Sequence, residues 1–378
     1  MSSISDSLTA QQTWRTRWAL WRNGILGSRK FQEWAARTPI FRSVARRKAA
    51  GQFDLIAGFV YTQITYVFVQ TGLVQFLRDQ PRVTTEIERF LDLSAHAAER
   101  ILKAGVALKL AESPQDDLWV LGEVGAALSV NDGAMAMIRH HQLLYRDMAD
   151  PLSLLREERR GESELSAFWT YASPAGAAGQ NAAPYSELMR ATQPMVWQQI
   201  LGRYPFEQHK KMLDIGGGSG AFVEAVAGQT DTLELAVFDL PDVVPLAAER
   251  FASSPLDTRI ATHMGSFREH PIPAGYDLIT LIRILHDHDD DVAQALLAKI
   301  YELLPARGNL LIVEPMAETR GAEAMGDAYF GMYLWAMGSG RPRSLHENSD
   351  MLKNVGFSDV KEIVTPLPII TRAIVAAK

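Results

Sequence analysis

Beyond Lys210, short apolar runs alternate with helical stretches, and no other feature of the sequence limits the fold as much. MLDIGGG, LELAVFDL, IATHMGSF, YDLITLIRIL and NLLIVEP have the length and composition of buried strands, and segments such as DVAQALLAKIYELL separate them. A chain patterned in this way folds into a mainly parallel sheet with helices on both faces. The tail, GFSDVKEIVTPLPIITRAIVAAK, holds two further strands joined by a proline-containing turn. It predicts an antiparallel hairpin at the sheet edge, which brings the strand count to seven.

From about Phe53 to Tyr204 the periodicity is helical. VTTEIERFLDLSAHAAERILKAGVALKLAE, followed by DLWVLGEVGAALS, predicts helix, turn, helix and a small hairpin, with Ser94 capping the helix Ala95 to Leu108. This winged-helix pattern suits DNA, yet Glu99 offsets Arg100 and the chain carries a net charge of -6, which disfavours phosphate binding. A scaffolding use is expected, and no nucleic-acid partner. IRHHQLLYRDMADPLSLL continues the helical region, and Ser173 to Pro184 read as a loop. The charge-free segment Leu55 to Leu77 contains three Gln, three Thr and two Tyr, which predicts a buried or dimer-forming helix and not a membrane span.

With 378 residues, of which 47% are hydrophobic, the chain exceeds one usual domain and can fill two cores. The division expected is an arm over 1–50, a helical unit over 51–205 and an α/β unit over 206–378. The arm interleaves Trp14, Trp18 and Trp21 with Arg15, Arg17 and Arg22, and a basic group follows at Arg42, Arg46, Arg47 and Lys48. Such a mixture suits either a membrane interface or a partner subunit. The absence of cysteine excludes disulfides, iron-sulfur clusters and thiol nucleophiles. No basic start followed by an apolar core and a small-residue cleavage site marks the N-terminus, so a cytoplasmic location is expected, with peripheral contact to an inner or photosynthetic membrane through the arm.

The first strand of the α/β region ends in Asp214-Ile215-Gly216-Gly217-Gly218-Ser219-Gly220, and glycines there let a backbone turn sharply against a ligand. The second strand ends at Asp239, nineteen positions after Gly220, where a carboxylate can accept both hydroxyls of a ribose. Together they predict an adenosine-containing cofactor. Ala221 satisfies the dinucleotide spacing, so NAD is not formally excluded. Asp214, however, places negative charge where a pyrophosphate is unwelcome and a methionyl ammonium is welcome, which favours S-adenosylmethionine.

The runs Asp214–Gly220, Phe238-Asp239-Leu240-Pro241, Gly265-Ser266-Phe267, Leu285-His286-Asp287 and Glu314-Pro315 resemble class I S-adenosylmethionine-dependent O-methyltransferases. The likeness is to the plant caffeic-acid and acetylserotonin type. MIRHHQLLYRDMADPLSLLRE, APYSELM and the Trp/Arg arm look most like the bacterial carotenoid branch, the hydroxyneurosporene or demethylspheroidene O-methyltransferases. The resemblance implies a Rossmann-like seven-stranded sheet preceded by a winged-helix dimerisation domain, a homodimer, and a lipophilic small-molecule acceptor. It assigns the cofactor to Asp214, Gly216, Gly218, Asp239, Leu240, Gly265, Ser266, Phe267 and Arg283, with no metal. It makes His286 the general base and Glu314 the group that orients its imidazole, chemistry that a reference pKa near ~6.5 supports.

Three departures from the plant pattern stand out. Gly265 and Ser266 replace an adenine-contacting acid, Pro342 replaces a second catalytic carboxylate, and His288 replaces a tryptophan. Asp289, Asp290 and Asp291 read as helix-starting residues, and Asp287 as a turn-former beside the cofactor loop. The acceptor pocket is expected to draw on Met137, His141, Tyr145, Met189, Trp197, Met332, Trp335 and Met337, apolar or adaptable side chains suited to a long substrate. Alternatives to a carotenoid hydroxyl are a polyketide, phenolic or quinone-like acceptor. From other classes come a relative that binds the cofactor without transfer, and a winged-helix regulator.

Overall fold

The computed structural model describes residues 13–156, 163–169, 182–252 and 259–378. Packing divides the chain into two units, Met1–Leu73 with Pro81–Val120, and Val74–Gln80 with Leu121–Lys378. The boundary in packing therefore falls at residue 120 and not near 205. Its cause is helix Asp132–Asp147, which packs on helices Glu164–Phe168, Ala182–Trp197 and Gly331–Met337 of the sheet-bearing unit.

In the first unit, helices Trp14–Leu26 and Arg29–Arg37 each begin at a hydroxyl, Thr13 and Ser28, whose side chain accepts a free first-turn N–H. Helix Pro39–Gln70 has proline in its first turn, where the missing N–H costs nothing. The charge-free segment, expected to be a buried or dimer-forming helix, is divided between two helices. The first stops at Gln70, the chain turns at Gly72 with φ 76°, and a new helix runs from Leu73 to Asp79. Leu55 is 88% exposed and Phe59 73%, whereas Phe68 and Val69 are buried. Lack of charge marked an apolar face, and burial reaches only its C-terminal end. No described helix is long and apolar enough to cross a membrane.

Helices Thr84–Leu91 and Ala95–Ala107 and the hairpin β1 (Ala111–Gln115) to β2 (Leu118–Leu121) follow the predicted pattern, and Ser94 accepts the Ala97 N–H. Trp119 anchors the hairpin by main-chain pairing with Arg82 and by donating its indole N–H to Thr84 at 2.9 Å.

The second unit contains one seven-stranded sheet. Its strands are β3 (Lys211–Ile215), β4 (Glu234–Asp239), β5 (Ile260–Met264), β6 (Leu278–Ile282), β7 (Asn309–Glu314), β8 (Lys361–Ile363) and β9 (Arg372–Ala377), in the order β5-β4-β3-β6-β7-β9-β8. The first five are parallel, and β9 runs antiparallel to β7 and to β8, which is the tail hairpin. All five residues of β6 are buried, as a strand covered on both faces requires. One core lies under Phe222, Val226 and Phe251, the other under Leu296, Leu297 and Ile300. The chain winds outward in both directions from the β3–β6 pair, and ligands of such sheets bind beyond the strand ends at that reversal. Of the predicted loop Ser173 to Pro184, helix Ala182–Trp197 takes the end and the rest lies outside the described residues.

Candidate active site

At the carboxyl end of β3 the chain enters the glycine loop, and Gly216, Gly218 and Gly220 all have positive φ. Gly220 shows why no other residue serves: besides its φ of 74°, a Cβ would collide with the Phe251 ring. A Cβ on Gly217 would stand 2.8 Å from Asp214 Oδ2, so this backbone lies directly against the Asp214 carboxylate. Asp214 is buried, and its Oδ1 accepts the Thr280 hydroxyl at 2.6 Å. Burial pushes its carboxyl up to about 7, the Thr280 bond opposes the shift, and the Asp239 charge adds to it.

Asp239 ends the neighbouring strand β4. Its Oδ2 accepts the Gly218 N–H and its Oδ1 the Leu240 N–H, both at 2.7 Å. These bonds partly offset the burial that lifts the carboxyl to about 6. They use two of about four acceptor sites on a carboxylate, which leaves capacity for ribose hydroxyls. Gly265 donates to the Asp239 carbonyl, and a Cβ there would lie 2.7 Å from the Phe238 ring. The Ser266 hydroxyl accepts the Arg268 N–H at 3.2 Å within its own turn. Phe267 packs edge-on against His288, with centroids 5.2 Å apart. His288 thus fills the tryptophan position as a neutral aromatic, its pKa pressed down to about 3 by burial and by Arg268 and Arg343. Arg283, just past β6, takes φ 59° and donates to Thr192 Oγ1 at 3.0 Å.

His286 lies in the one-turn 3-10 helix Leu285–Asp287 after β6 and is buried. Among the described residues neither ring nitrogen has a hydrogen-bond partner. Burial, reinforced by the charges of Arg283 and Arg343, holds its pKa well below the usual histidine range, so the ring is neutral. The expected contact with Glu314 takes a different form: Glu314 Oε2 accepts the main-chain N–H of His286 at 3.2 Å and fixes the turn, not the ring. The carboxylate nearest the imidazole is the sequence neighbour Asp287, with Oδ1 3.3 Å from Nε2. Glu314 is fully buried at the end of β7, and burial raises its carboxyl to about 7.

The acidic run stands at the helix start as expected, with Asp290 and Asp291 in its first turn, though two of its side chains bond elsewhere. Asp289 occupies the N-cap position of helix Asp290–Leu303, but its side chain makes no capping bond and accepts the Gly340 N–H at 3.0 Å. Asp290 pairs with Arg341 and Arg343. Asp291 accepts the Val292 N–H within the first turn. No three His, Asp or Glu among the described residues are arranged to hold a metal ion.

Several predicted acceptor residues meet around a π-helical turn, Ala324–Phe330, that feeds helix Gly331–Met337. His141 Nε2 lies 2.7 Å from the Tyr329 hydroxyl, and Tyr145 packs on the His141 ring. The Phe330 ring sits 5.9 Å from that of His286 and joins this cluster to the reacting end. Met189 and Met137 lie against the same cluster, Met332 is half-buried on its helix, and Trp335 donates to the Leu154 carbonyl at 3.0 Å. Two of the residues named for the pocket lie in apolar cores. Met337 is a buried core residue, and Trp197 packs against the sheet core around Ile200 and Phe222. The sequence reading missed His140, Trp169, Tyr329, Phe330 and Tyr333. Tyr333 accepts the Trp169 indole N–H at 2.9 Å, which leaves its hydroxyl hydrogen for His140 Nε2 at 2.7 Å. The pairing of HH in one helix with YFGMY in another was the available signal.

A glycine loop pressed on a buried acid, a second acid at the next strand end and a buried histidine beyond β6 are the arrangement expected of an S-adenosylmethionine-dependent methyltransferase. Residues 147–358 match the O-methyltransferase domain family, to which this chain belongs. It is 36% identical to demethylspheroidene O-methyltransferase of Cereibacter sphaeroides, over 94% of this chain and 93% of that protein. Identity to the Rhodobacter capsulatus enzyme of the same name is 37%, covering 93% and 88%. The structure of human N-acetylserotonin methyltransferase in complex with SAM superposes with a TM-score of 0.73 at 23% identity, covering 88% of this chain and 97% of that one. The residues present fit the cofactor: the loop offers N–H groups without side chains, and Asp214 and Asp239 supply negative charge for an ammonium and acceptors for a ribose.

Proposed function

We propose that the protein transfers the methyl group of S-adenosylmethionine to a hydroxyl of a hydroxylated carotenoid of the demethylspheroidene or hydroxyneurosporene kind, with His286 as general base. The carrying observation is the buried, neutral imidazole whose two nitrogens have no partner among the described residues. A buried polar group is ordinarily satisfied, so an unsatisfied one beside an aromatic wall suits an acceptor hydroxyl. Near full-length similarity to two demethylspheroidene O-methyltransferases supports the acceptor class. When bound, the cofactor supplies an electrophilic methyl group on a sulfonium.

The protein's own contribution is positional. An aliphatic alcohol is too weak an acid for an imidazole to ionise beforehand, so His286 would take the hydroxyl proton as the oxygen–methyl bond forms and the sulfur–methyl bond breaks, with the ether and S-adenosylhomocysteine as products. Asp287, 3.3 Å from Nε2, stabilises the imidazolium that forms. Glu314 holds the main chain of the base in place. Most of the acceleration then comes from alignment. His286→Ala should lower turnover roughly two to four orders of magnitude while cofactor affinity survives; unchanged turnover would remove His286 from the mechanism. Labelled S-adenosylmethionine offered with hydroxycarotenoids, flavonoids and hydroxyquinones should yield an ether on the carotenoid. A phenol that turns over while no carotenoid does would refute the acceptor.

The proposal extends to assembly. The apolar face exposed at Leu55, Ile56 and Phe59 suits a homodimer contact and gives residues 51–205 a dimerisation role, with 206–378 catalytic. In helix Trp14–Leu26, Trp14, Trp18 and Trp21 recur on one face, with Arg15 and Arg22 on one flank and Arg17 on the other. The three indoles are 53–73% exposed, and from Thr13 to Gln52 ten Arg or Lys face a single Glu. This arm suits an anionic membrane surface met from the cytoplasm. Flotation with phosphatidylglycerol vesicles, but not with phosphatidylcholine, is the expected result; equal behaviour with both refutes it.

A further inference from the structure

The turn that carries His286 is held from outside by one segment, Ser339–Arg343. Arg343 is fully buried. Its Nη1 donates to the Leu285 carbonyl at 2.7 Å, and its Nη2 donates to the His288 carbonyl at 2.8 Å. Nε and Nη2 also reach Asp290 Oδ1 at 2.9 and 2.7 Å. Ser339 Oγ donates to the Asp287 carbonyl at 2.9 Å, and the Gly340 N–H to Asp289 at 3.0 Å. Gly340 has φ 78°, and a Cβ there would collide with the His286 carbonyl. The backbone of 338–343 is thus pressed against that of 285–289.

We infer that Arg343 is a positioning residue for methyl transfer: its guanidinium spans the two ends of the His286 turn, and Asp290 anchors the guanidinium. Three features carry this. The two carbonyls it bridges lie on either side of the base, one residue before it and two after. A planar fork with several fixed donors bridges separate acceptors as a lysine ammonium does not. A guanidinium buried at this depth is costly unless paired, and its one carboxylate partner, Asp290, is largely exposed and so belongs to the anchor and not to the reacting centre. Arg343 makes no bond to the imidazole itself and acts on it through the main chain, opposite the Glu314 bond to the His286 N–H.

The inference rests on His286 being the base, and the experiment separates the two ideas. Arg343→Lys, Asp290→Asn, His286→Ala and the His286→Ala/Arg343→Lys double variant are assayed as full-length protein for kcat, acceptor KM and S-adenosylhomocysteine affinity. Arg343→Lys keeps the charge but loses the bridge. It should cut kcat roughly ten- to a hundredfold, the loss typical of an ångström-scale misplacement, with product affinity within about threefold. In the His286→Ala background the same change should cost less than about twofold, because a turn with no base to aim has nothing left to lose. Asp290→Asn should lower kcat in the same direction and less, and it tests the anchor on its own if Arg343→Lys does not fold. Unchanged kcat in Arg343→Lys, or in a folded Asp290→Asn if the lysine variant fails, overturns the inference. An undiminished further loss in the double variant also overturns it. Normal turnover by His286→Ala sinks the base assignment instead.

Discussion

Thr280→Val is the most direct test of how the cofactor end works. Thr280 donates to Asp214 at 2.6 Å, with both residues buried, and valine has nearly the same shape with no hydroxyl. A hydrogen bond to a charged group contributes about 1.5–3 kcal/mol, and one pKa unit corresponds to about 1.36 kcal/mol. Removing the bond should therefore raise the Asp214 carboxyl, already lifted to about 7 by burial, by roughly one to two units. Only the ionised carboxylate attracts an ammonium, so cofactor affinity grows as pH rises through the carboxyl pKa and fades below it. At pH ~7.5 the ionised fraction should fall about threefold for a one-unit rise, and apparent affinity with it. Calorimetric titration with S-adenosylmethionine from pH 6 to 9.5 reads the midpoint. The valine variant should bind weakly at neutral pH and approach wild type near the upper end, and Thr280→Ser should titrate like wild type. A midpoint that does not move, or a deficit of the same size at every pH, would show that Asp214 does not meet the cofactor as a tuned carboxylate.

Glu314→Gln should separate stability from activity. Its carboxyl sits at about 7 when folded, above its unfolded value near ~4.5, so its stabilising contribution is present below that unfolded value and is lost as pH rises through 7. Urea unfolding should therefore show the glutamine variant gaining on wild type between pH ~5 and 8, by an amount on the order of a few kcal/mol at most; a difference that does not vary with pH refutes the assignment. Tyr333→Phe leaves His140 Nε2 and the Trp169 N–H without their shared partner, and should cost about 1–3 kcal/mol by the same measurement. Gly220→Ala meets both a positive φ and the Phe251 ring. A thermal midpoint within a degree of wild type would show that this packing is not tight.

The sheet was legible because β-branched runs between helical stretches leave few alternatives, and because Asp239 ends its strand at the distance a ribose-binding acid requires. What the sequence hid was decided by contacts across long separations. His140 and Tyr333 meet over 193 positions, and no local period announces that pairing. Leu55 to Leu77 left two readings open, a buried or a dimer-forming helix, because lack of charge is local whereas burial depends on what covers a helix, and within one chain only its last turns are covered. The fate of Met337 and Trp197 follows the same logic, since an adaptable side chain enters a pocket or a core according to the helix face it occupies.

The run His286 to Asp291 shows how far residue chemistry alone can carry a site. Six titratable groups in succession look interchangeable in a sequence, yet in the fold each is met by a different surface. The 3-10 turn buries His286 and brings Asp287 within 3.3 Å of its ring, while His288 lands on Phe267 and loses its charge. The side chains of Asp289 and Asp290 reach segment 339–343, and that of Asp291 bonds within the first turn of the helix. Helix-start preferences describe what an aspartate does with no other donor in reach. Here the Arg343 guanidinium and the Gly340 N–H hold two of these carboxylates in place of helix N–H groups. The carboxylates therefore fix the frame in which one buried, neutral imidazole is held.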